Sequence, residues 1–270
     1  MIRAAAAAWL ALLVAAPLLV VLAIAFAVPD AGLPPFRLPT SMAENESWQV
    51  LTEDGFYLAA LGRSLLVAGA TAAICVALAY PMSLGILRAA PRRRPMLLAL
   101  ALLPMAVGFV LRMAAWSGLL RDSGPLNQLL MALGTEAPWR LLYSDTGLML
   151  GMVHSYLAFA LLPLYAALAG RDRAPEEAAA DLGARPWTVF RTVTLPASAG
   201  AAGAAFLLVF IPAAGEFVIP DILGAPDRLL VGRAIWQEFS ATRDWPLAAA
   251  ASVALLLALL PPLLWWQRLR

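Results

Sequence analysis

The sequence has no lysine, one cysteine and one histidine in 270 residues, and only 13% of its residues are charged. The phosphate-binding loop of many nucleotide-hydrolysing proteins ends in a lysine followed by serine or threonine, so the chain is predicted not to be an ATPase itself. Cys75 has no second cysteine for a disulfide, and His154 has no cysteine or second histidine at metal-ligand spacing. We therefore expect no catalytic residues and no metal site.

The chain is instead rich in apolar side chains, since 62% of its residues are hydrophobic. One soluble core cannot hide that much apolar surface, and the charged residues are gathered between long apolar runs, as in a membrane protein. Six runs are long enough to cross about 30 Å of hydrocarbon as helices. They cover residues 4–28, 64–87, 95–120, 146–169, 197–219 and 246–266. The predicted fold class is an all-α polytopic membrane protein, with residues 1–270 as one transmembrane domain.

The arginines predict how these spans are oriented. They are concentrated in alternate connecting segments, and arginine-rich segments tend to stay on the cytoplasmic side. This places both termini in the cytoplasm and the acidic segments outside. One of these acidic segments is residues 29–63, where a short helix is expected near 48–58.

Because no basic stretch is interleaved with aromatic residues, we expect no nucleic-acid partner.

The cytoplasmic segment 170–196 is punctuated like two short helices. Pro175 suits a first helical position, acidic residues follow it in the first turn, and Gly183 suits a left-handed helix end. A second helix is predicted from Pro186, with apolar residues Trp187, Phe190 and Val193 at three-residue spacing. A short amphipathic helix with such a face needs a partner.

The same segment has a characteristic spacing of an acid, two alanines, a glycine and a Leu-Pro pair: Glu177, Ala178, Ala179, Gly183, Val193, Leu195 and Pro196. This pattern resembles the EAA loop of ABC-importer permease subunits, with valine replacing the usual isoleucine. The resemblance implies the ABC type I importer permease fold and a coupling helix that docks on a separate ATPase. Glu177 and Gly183 would set that contact, while Ala178, Ala179 and Leu182 would fill the groove.

By the same resemblance, ATP and Mg are bound by the partner ATPase, and this chain carries no cofactor.

An alternative interpretation of the segment 170–196 is an amphipathic helix lying on lipid, with its arginines facing anionic headgroups. Those arginines are Arg171, Arg173, Arg185 and Arg191.

The C-terminal third carries a second pattern, in the ranges 215–227, 232–233, 236–239 and 243–246. It resembles the first permease of polyamine (spermidine/putrescine) importers. The resemblance implies a multi-pass protein of the bacterial inner membrane that works with a periplasmic substrate-binding protein, ATPase subunits and a second, related permease chain. Two alternatives stay open: a permease for another small solute such as ferric iron or an oxyanion, and a proton-coupled secondary transporter.

Four residues are candidates for the substrate pathway: Glu216, Asp221, Arg112 and Trp116. Glu216 lies in an apolar run interrupted by proline and glycine, and a carboxylate within a membrane is costly unless it is paired or faces a cavity. Broken helices with a nearby acid are common at transporter cation sites. Glu216 is therefore expected to contact the substrate, to pair with Arg112, or to do both.

Overall fold

The computed structural model describes residues 2–41, 44–136 and 138–267, with the backbone alone for residues 2–7 and 265. Helices dominate this part of the chain. They are α1 (Ile2–Ala25), α2 (Ser47–Glu53), α3 (Gly55–Arg88), α4 (Arg94–Ala106), α5 (Phe109–Leu120), α6 (Pro125–Ala132), α7 (Asp145–Ala169), α8 (Ala174–Asp181), α9 (Pro186–Val189), α10 (Leu195–Ala197), α11 (Ala199–Ala214), α12 (Val218–Leu223), α13 (Val231–Gln237) and α14 (Trp245–Gln267).

Shorter elements complete the chain. Strands β1 (Val28–Pro29) and β2 (Phe36–Arg37) form an antiparallel pair in which Val28 is opposite Arg37. A 3₁₀ turn covers Pro91–Arg93, and π-helical turns cover Phe190–Thr194 and Glu238–Thr242. The short helix predicted near 48–58 is α2, and the residues from Gly55 onward already belong to α3.

Among the described residues, four helices are long and apolar enough to cross a membrane individually: α1, α3, α7 and α14. Two further spans are possible if each of two bent pairs counts as one. Pro91–Ala106 and Phe109–Ala132 meet at 87°, and Pro186–Ala197 and Ala199–Ala214 meet at 71°. The structure therefore supports a multi-pass helical membrane protein with four to six spans.

Two of the predicted runs are interrupted rather than continuous. The run 95–120 breaks after α4, where Val107 adopts an extended conformation and Gly108 precedes α5. The run 197–219 breaks at 215–217, between α11 and α12. Hydropathy did not locate the first break, because Val107 and Gly108 carry no charged or strongly polar side chain that would interrupt the apolar run.

The chain forms two compact units. The first contains Met1–Leu65, Gly215–Phe217 and Arg228–Pro261. Its core joins α2, the start of α3, α13 and α14 through buried apolar residues: Leu51, Tyr57, Ala234, Leu247 and Ala251. The side-chain amide of Asn45 donates a hydrogen bond to the carbonyl oxygen of Ala27, fixing the segment before α2 to the residues that follow α1. Trp48 packs against this core.

The second unit contains Leu66–Ala214, Val218–Asp227 and Pro262–Arg270. Its core lies along α7, where Met152, Leu161 and Leu164 are fully buried. Gly151 allows α12 to approach α7 closely, since a side chain at this position would come within 2.5 Å of the Leu223 side chain. The expectation of one transmembrane domain over residues 1–270 stays a prediction.

Candidate functional site

The helix α8 ends as the sequence indicates. Pro175 lies in its first turn, and Gly183 has a φ of +82°, which favours glycine. The N–H of Ala184 donates to the carbonyl of Ala179 at 3.1 Å, and the N–H of Gly183 donates to the carbonyl of Ala180 at 2.9 Å. This pair of bonds is a Schellman motif, which satisfies the last carbonyls of α8 and reverses the chain.

A polar cluster fixes α8 to the turn that follows α9. The Glu176 carboxylate accepts hydrogen bonds from the guanidinium of Arg171 and from the hydroxyl of Thr194. Arg171 also donates to the carbonyl oxygen of Thr194 at 3.0 Å. These side chains are partly buried, so each bond is shielded from water. Glu176 lies outside the EAA pattern, which includes its neighbour Glu177. The sequence did not indicate that Glu176 holds α8 in place, because its partner Thr194 is 18 residues away.

Aromatic residues extend this cluster towards α3. Phe190 lies edge-on to Tyr80, with ring centroids 5.5 Å apart, and stacks on Trp187 at 5.4 Å. The Tyr80 and Ser198 hydroxyls are hydrogen-bonded at 3.0 Å, and Ser198 also donates to the Thr194 carbonyl. The segment 171–198 is therefore attached to the end of α3 and is not a free loop.

The end of α8 and the start of α9 carry apolar side chains that nothing in the described chain covers. Leu182 is 89% exposed and Trp187 is 69% exposed. Glu177 and Ala178 are exposed beside them, whereas Ala179 is half-buried. Leu195 and Pro196 are also exposed, at the start of the short helix α10. Exposed leucine and tryptophan in a short, well-fixed helical segment are typical of a protein-contact surface.

The predicted pathway acid Glu216 lies in the break between α11 and α12, where it is half-buried. Its carboxylate accepts a hydrogen bond from the N–H of Phe217 at 3.1 Å. Gly232 contacts the backbone of this break so closely that a side chain there would come within 2.6 Å of the Glu216 carbonyl oxygen. Asp221 is exposed in the first turn of α12.

Four aromatic residues near Glu216 form a row that sequence reasoning did not identify as a unit. Phe217 stacks on Trp236 at 4.9 Å, Trp236 approaches Phe239 at 6.3 Å, and Phe239 stacks on Trp245 at 5.0 Å. The spacing of these residues in the sequence has no common period, because they come from separate elements of the fold.

Arg112 and Trp116 lie one turn apart on α5. The Arg112 guanidinium donates to the carbonyl oxygen of Pro104 at 2.8 Å, across the break between α4 and α5. Trp116 packs edge-on against His154, with ring centroids 5.3 Å apart. Arg112 and Glu216 belong to different compact units, and their pairing stays a prediction.

The comparisons with known proteins agree with this architecture. The chain is 35% identical over 255 residues to the spermidine/putrescine transport system permease protein PotB of Haemophilus influenzae, covering 93% of this chain and 87% of that protein. It is 32% identical to PotB of Escherichia coli K12, with 80% of each chain covered.

Among solved structures, a bacterial ABC transporter involved in the import of the acidic polysaccharide alginate has a similar fold. The TM-score is 0.74 at 16% sequence identity, over 97% of this chain and 92% of that one. Residues 2–267 match the family described as binding-protein-dependent transport system inner membrane component. The chain therefore belongs to this family and is the membrane-embedded permease component of a binding-protein-dependent ABC importer.

Proposed function

We propose that this chain forms part of the translocation pathway for polyamines, with putrescine and spermidine as substrates. The observation that carries the proposal is the 35% identity to a PotB protein over 93% of this chain. A match of that extent includes both the break between α11 and α12 and the coupling segment, so it is not confined to features that all ABC permeases share.

The chemistry around Glu216 supports a cationic substrate. Glu216 directly precedes Phe217, the first ring of the row that continues through Trp236, Phe239 and Trp245, and aromatic faces attract ammonium groups. A polyamine combines several ammonium groups with short apolar linkers, which suits carboxylates interspersed with aromatic rings. Glu216 would bind an ammonium group, and Asp221 would add negative potential near the outer entrance. Arg112 and Trp116 would shape the pathway near the break between α4 and α5.

Transport would be driven by a separate ATPase subunit that docks on α8 and binds ATP and Mg. Leu182, Ala178 and Ala179 would fill a groove on that subunit, while Glu177 and Gly183 would set the contact. Leu195 and Pro196 would hold the end of the coupling segment. Burying one exposed leucine contributes about 1.5–3 kcal/mol, enough to make Leu182 an anchor of this interface. The chain itself would have no ATPase site and no cofactor.

The functional assembly would contain this chain, a second permease that is a related chain, ATPase subunits and a periplasmic substrate-binding protein. It would lie in the bacterial inner membrane with both termini of this chain in the cytoplasm. A second permease is needed because the spans of one such chain enclose only part of a pathway.

The test is ATP-dependent uptake of labelled putrescine and spermidine in cells that lack this chain, with and without its restoration. We expect uptake to be lost without the chain and recovered with it. Polyamine uptake that does not depend on the chain would contradict the proposed substrate. The binding protein of the same system would then be screened for its ligand.

A glycine variant tests the coupling role in the same assay. Apart from its neighbouring residues, a Cβ at Gly183 would meet no atom of the described part of the chain within 4 Å, so Gly183→Val is expected to act mainly by straining the backbone. We expect it to reduce uptake about tenfold or more and to weaken co-purification of the ATPase. Gly134→Val is the matched control, because Gly134 also has a positive φ, +103°, and open space around it. Equal uptake by the two variants would argue against coupling through Gly183.

A further inference from the structure

A cleft of about 270 Å³ lies on the side of α8 away from its exposed apolar residues. Glu176 and Ala180 line it at four-residue spacing, so one face of α8 forms part of its wall, and Ala184 lines it from beyond the end of the helix. Glu177, Ala178 and Leu182 do not line the cleft. The residues that line the cleft are therefore different from those proposed to contact the ATPase.

The cleft is basic. Three arginines line it together with one acid, Glu176, which gives a net charge of +2. Arg171 is bonded to Glu176 and Thr194. Arg88 and Arg173 are exposed and have no acidic partner in the described part of the chain. Two guanidinium groups are thus available to an anion at the cleft entrance.

The position of the cleft indicates where such an anion comes from. Arg88 is the last residue of α3, and Arg171 follows the end of α7 by two residues. Both helices are candidate membrane spans, so the arginines lie where two spans leave the hydrocarbon. Apolar residues from these same helices also line the cleft, namely Leu84, Leu87 and Leu168.

We propose that this cleft binds the phosphate group of an anionic phospholipid, with the lipid's apolar part against the leucines. A guanidinium binds phosphate oxygens through two parallel hydrogen bonds, and basic pockets between spans on the cytoplasmic side suit anionic headgroups. Inorganic phosphate has the same charged group but nothing to place against Leu84, Leu87 and Leu168. A bound lipid would support α8 from behind its docking face, whichever solute is transported.

The test compares two double variants of this chain with the same change in net charge. Arg88→Gln with Arg173→Gln removes the two available guanidinium groups of the cleft. Arg92→Gln with Arg93→Gln removes two exposed arginines that do not line it. Each protein is purified in detergent, incubated with phosphatidylglycerol or phosphatidylcholine, and the retained lipid is counted by native mass spectrometry.

We expect the unaltered chain to retain phosphatidylglycerol in preference to phosphatidylcholine. The cleft variant should retain about tenfold less phosphatidylglycerol, as loss of charge-assisted hydrogen bonds predicts, and the control variant should stay within about twofold of the unaltered chain. Equal losses from the two variants would overturn the proposal, as would displacement of the lipid by an equal concentration of inorganic phosphate. If the double variant does not fold, Arg173→Gln alone is compared with Arg92→Gln alone.

Discussion

Glu176 and Glu177 are neighbours in the sequence with different surroundings. Glu176 is bonded to Arg171 and Thr194 and is partly buried, whereas Glu177 is exposed in the same turn of α8. The first carboxylate holds the segment 171–198 in its shape, and the second makes no such contact in the described chain. If Glu177 has the proposed coupling role, the two positions separate stability from coupling.

Neutralising each acid in turn checks this division. We expect Glu176→Gln to lower the free energy of unfolding by about 1–3 kcal/mol, because Arg171 loses its charged partner while remaining partly buried. Glu177→Gln should change stability by less than about 0.5 kcal/mol, as for other exposed positions, yet reduce transport coupled to ATP hydrolysis. Thermal unfolding and the ratio of ATP hydrolysed to solute imported measure the two effects. Equal destabilisation by both changes would contradict this assignment.

Asp244 makes stability depend on pH. Burial raises the pKa of this carboxyl, the hydrogen bond that it accepts from the Leu247 N–H at 3.0 Å opposes the rise, and the negative charge of Glu238 adds to it. A carboxyl with a raised pKa disfavours folding when it is charged. Stability should therefore fall as the pH rises from the ordinary pKa of an aspartate through the raised one.

Asp244→Asn should remove this dependence while keeping the cap on the first turn of α14, since asparagine caps a helix as well as aspartate does. The melting temperature of the variant should vary less with pH over that range than the melting temperature of the unaltered chain. Identical pH profiles would show that Asp244 does not titrate differently in the folded chain. Asp244→Ala, which removes the cap as well, should lower stability by about 1 kcal/mol.

At the scale of the elements, the side chain of Arg112 spans the bend between α4 and α5. The Arg112 guanidinium spans the break to the Pro104 carbonyl, which lies in the last turn of α4, and its carbon Cζ is 5.5 Å from the centre of the Phe109 ring. A helix interrupted within a span leaves carbonyl groups that need a donor. Arg112 supplies one, so it has a structural role at the break whether or not it also pairs with Glu216.

We expect Arg112→Gln to lower stability by about 1.5–3 kcal/mol, the usual contribution of a hydrogen bond to a charged group. Arg121→Gln is the control, because Arg121 is exposed at the other end of α5. Thermal unfolding in detergent compares the two variants. A melting temperature for Arg112→Gln that matches the control would show that the bend does not depend on this arginine.

Combining Arg112→Gln with Glu216→Gln tests the predicted ion pair. A paired arginine and glutamate should give a double variant that is more stable than the sum of the single effects predicts, by about 0.5–3 kcal/mol. Strict additivity would contradict the pairing and leave Arg112 with its role at the bend alone.

At the scale of the whole molecule, the orientation in the membrane is the main prediction. Cys75 is the only cysteine and is fully buried, so a cysteine introduced at an exposed position can be labelled selectively. Leu38→Cys, in the acidic segment 29–63, should react with a membrane-impermeant maleimide in cells with a permeabilised outer membrane. Arg185→Cys should react only after the inner membrane is opened. The reverse pattern would contradict the placement of both termini in the cytoplasm.

The sequence by itself determined those features that depend on composition and local spacing. Its apolar runs indicated a helical membrane protein, because lipid leaves backbone groups no partner outside a helix. Pro175 and Gly183 marked the first turn and the left-handed end of α8, since each residue type restricts or permits its own backbone angles. The EAA spacing indicated the family, because all of its residues lie within one short stretch of the chain.

Only the tertiary structure decided which side chains meet. Glu176 meets Thr194 across 18 residues, and Tyr80 meets Ser198 across 118, so neither pair leaves a local signal in the sequence. The break after α4 was also hidden, because hydropathy measures how apolar a run is and not whether its helix continues. The basic cleft behind α8 depends on where α3 and α7 end relative to each other, and that is fixed by packing rather than by spacing along the chain.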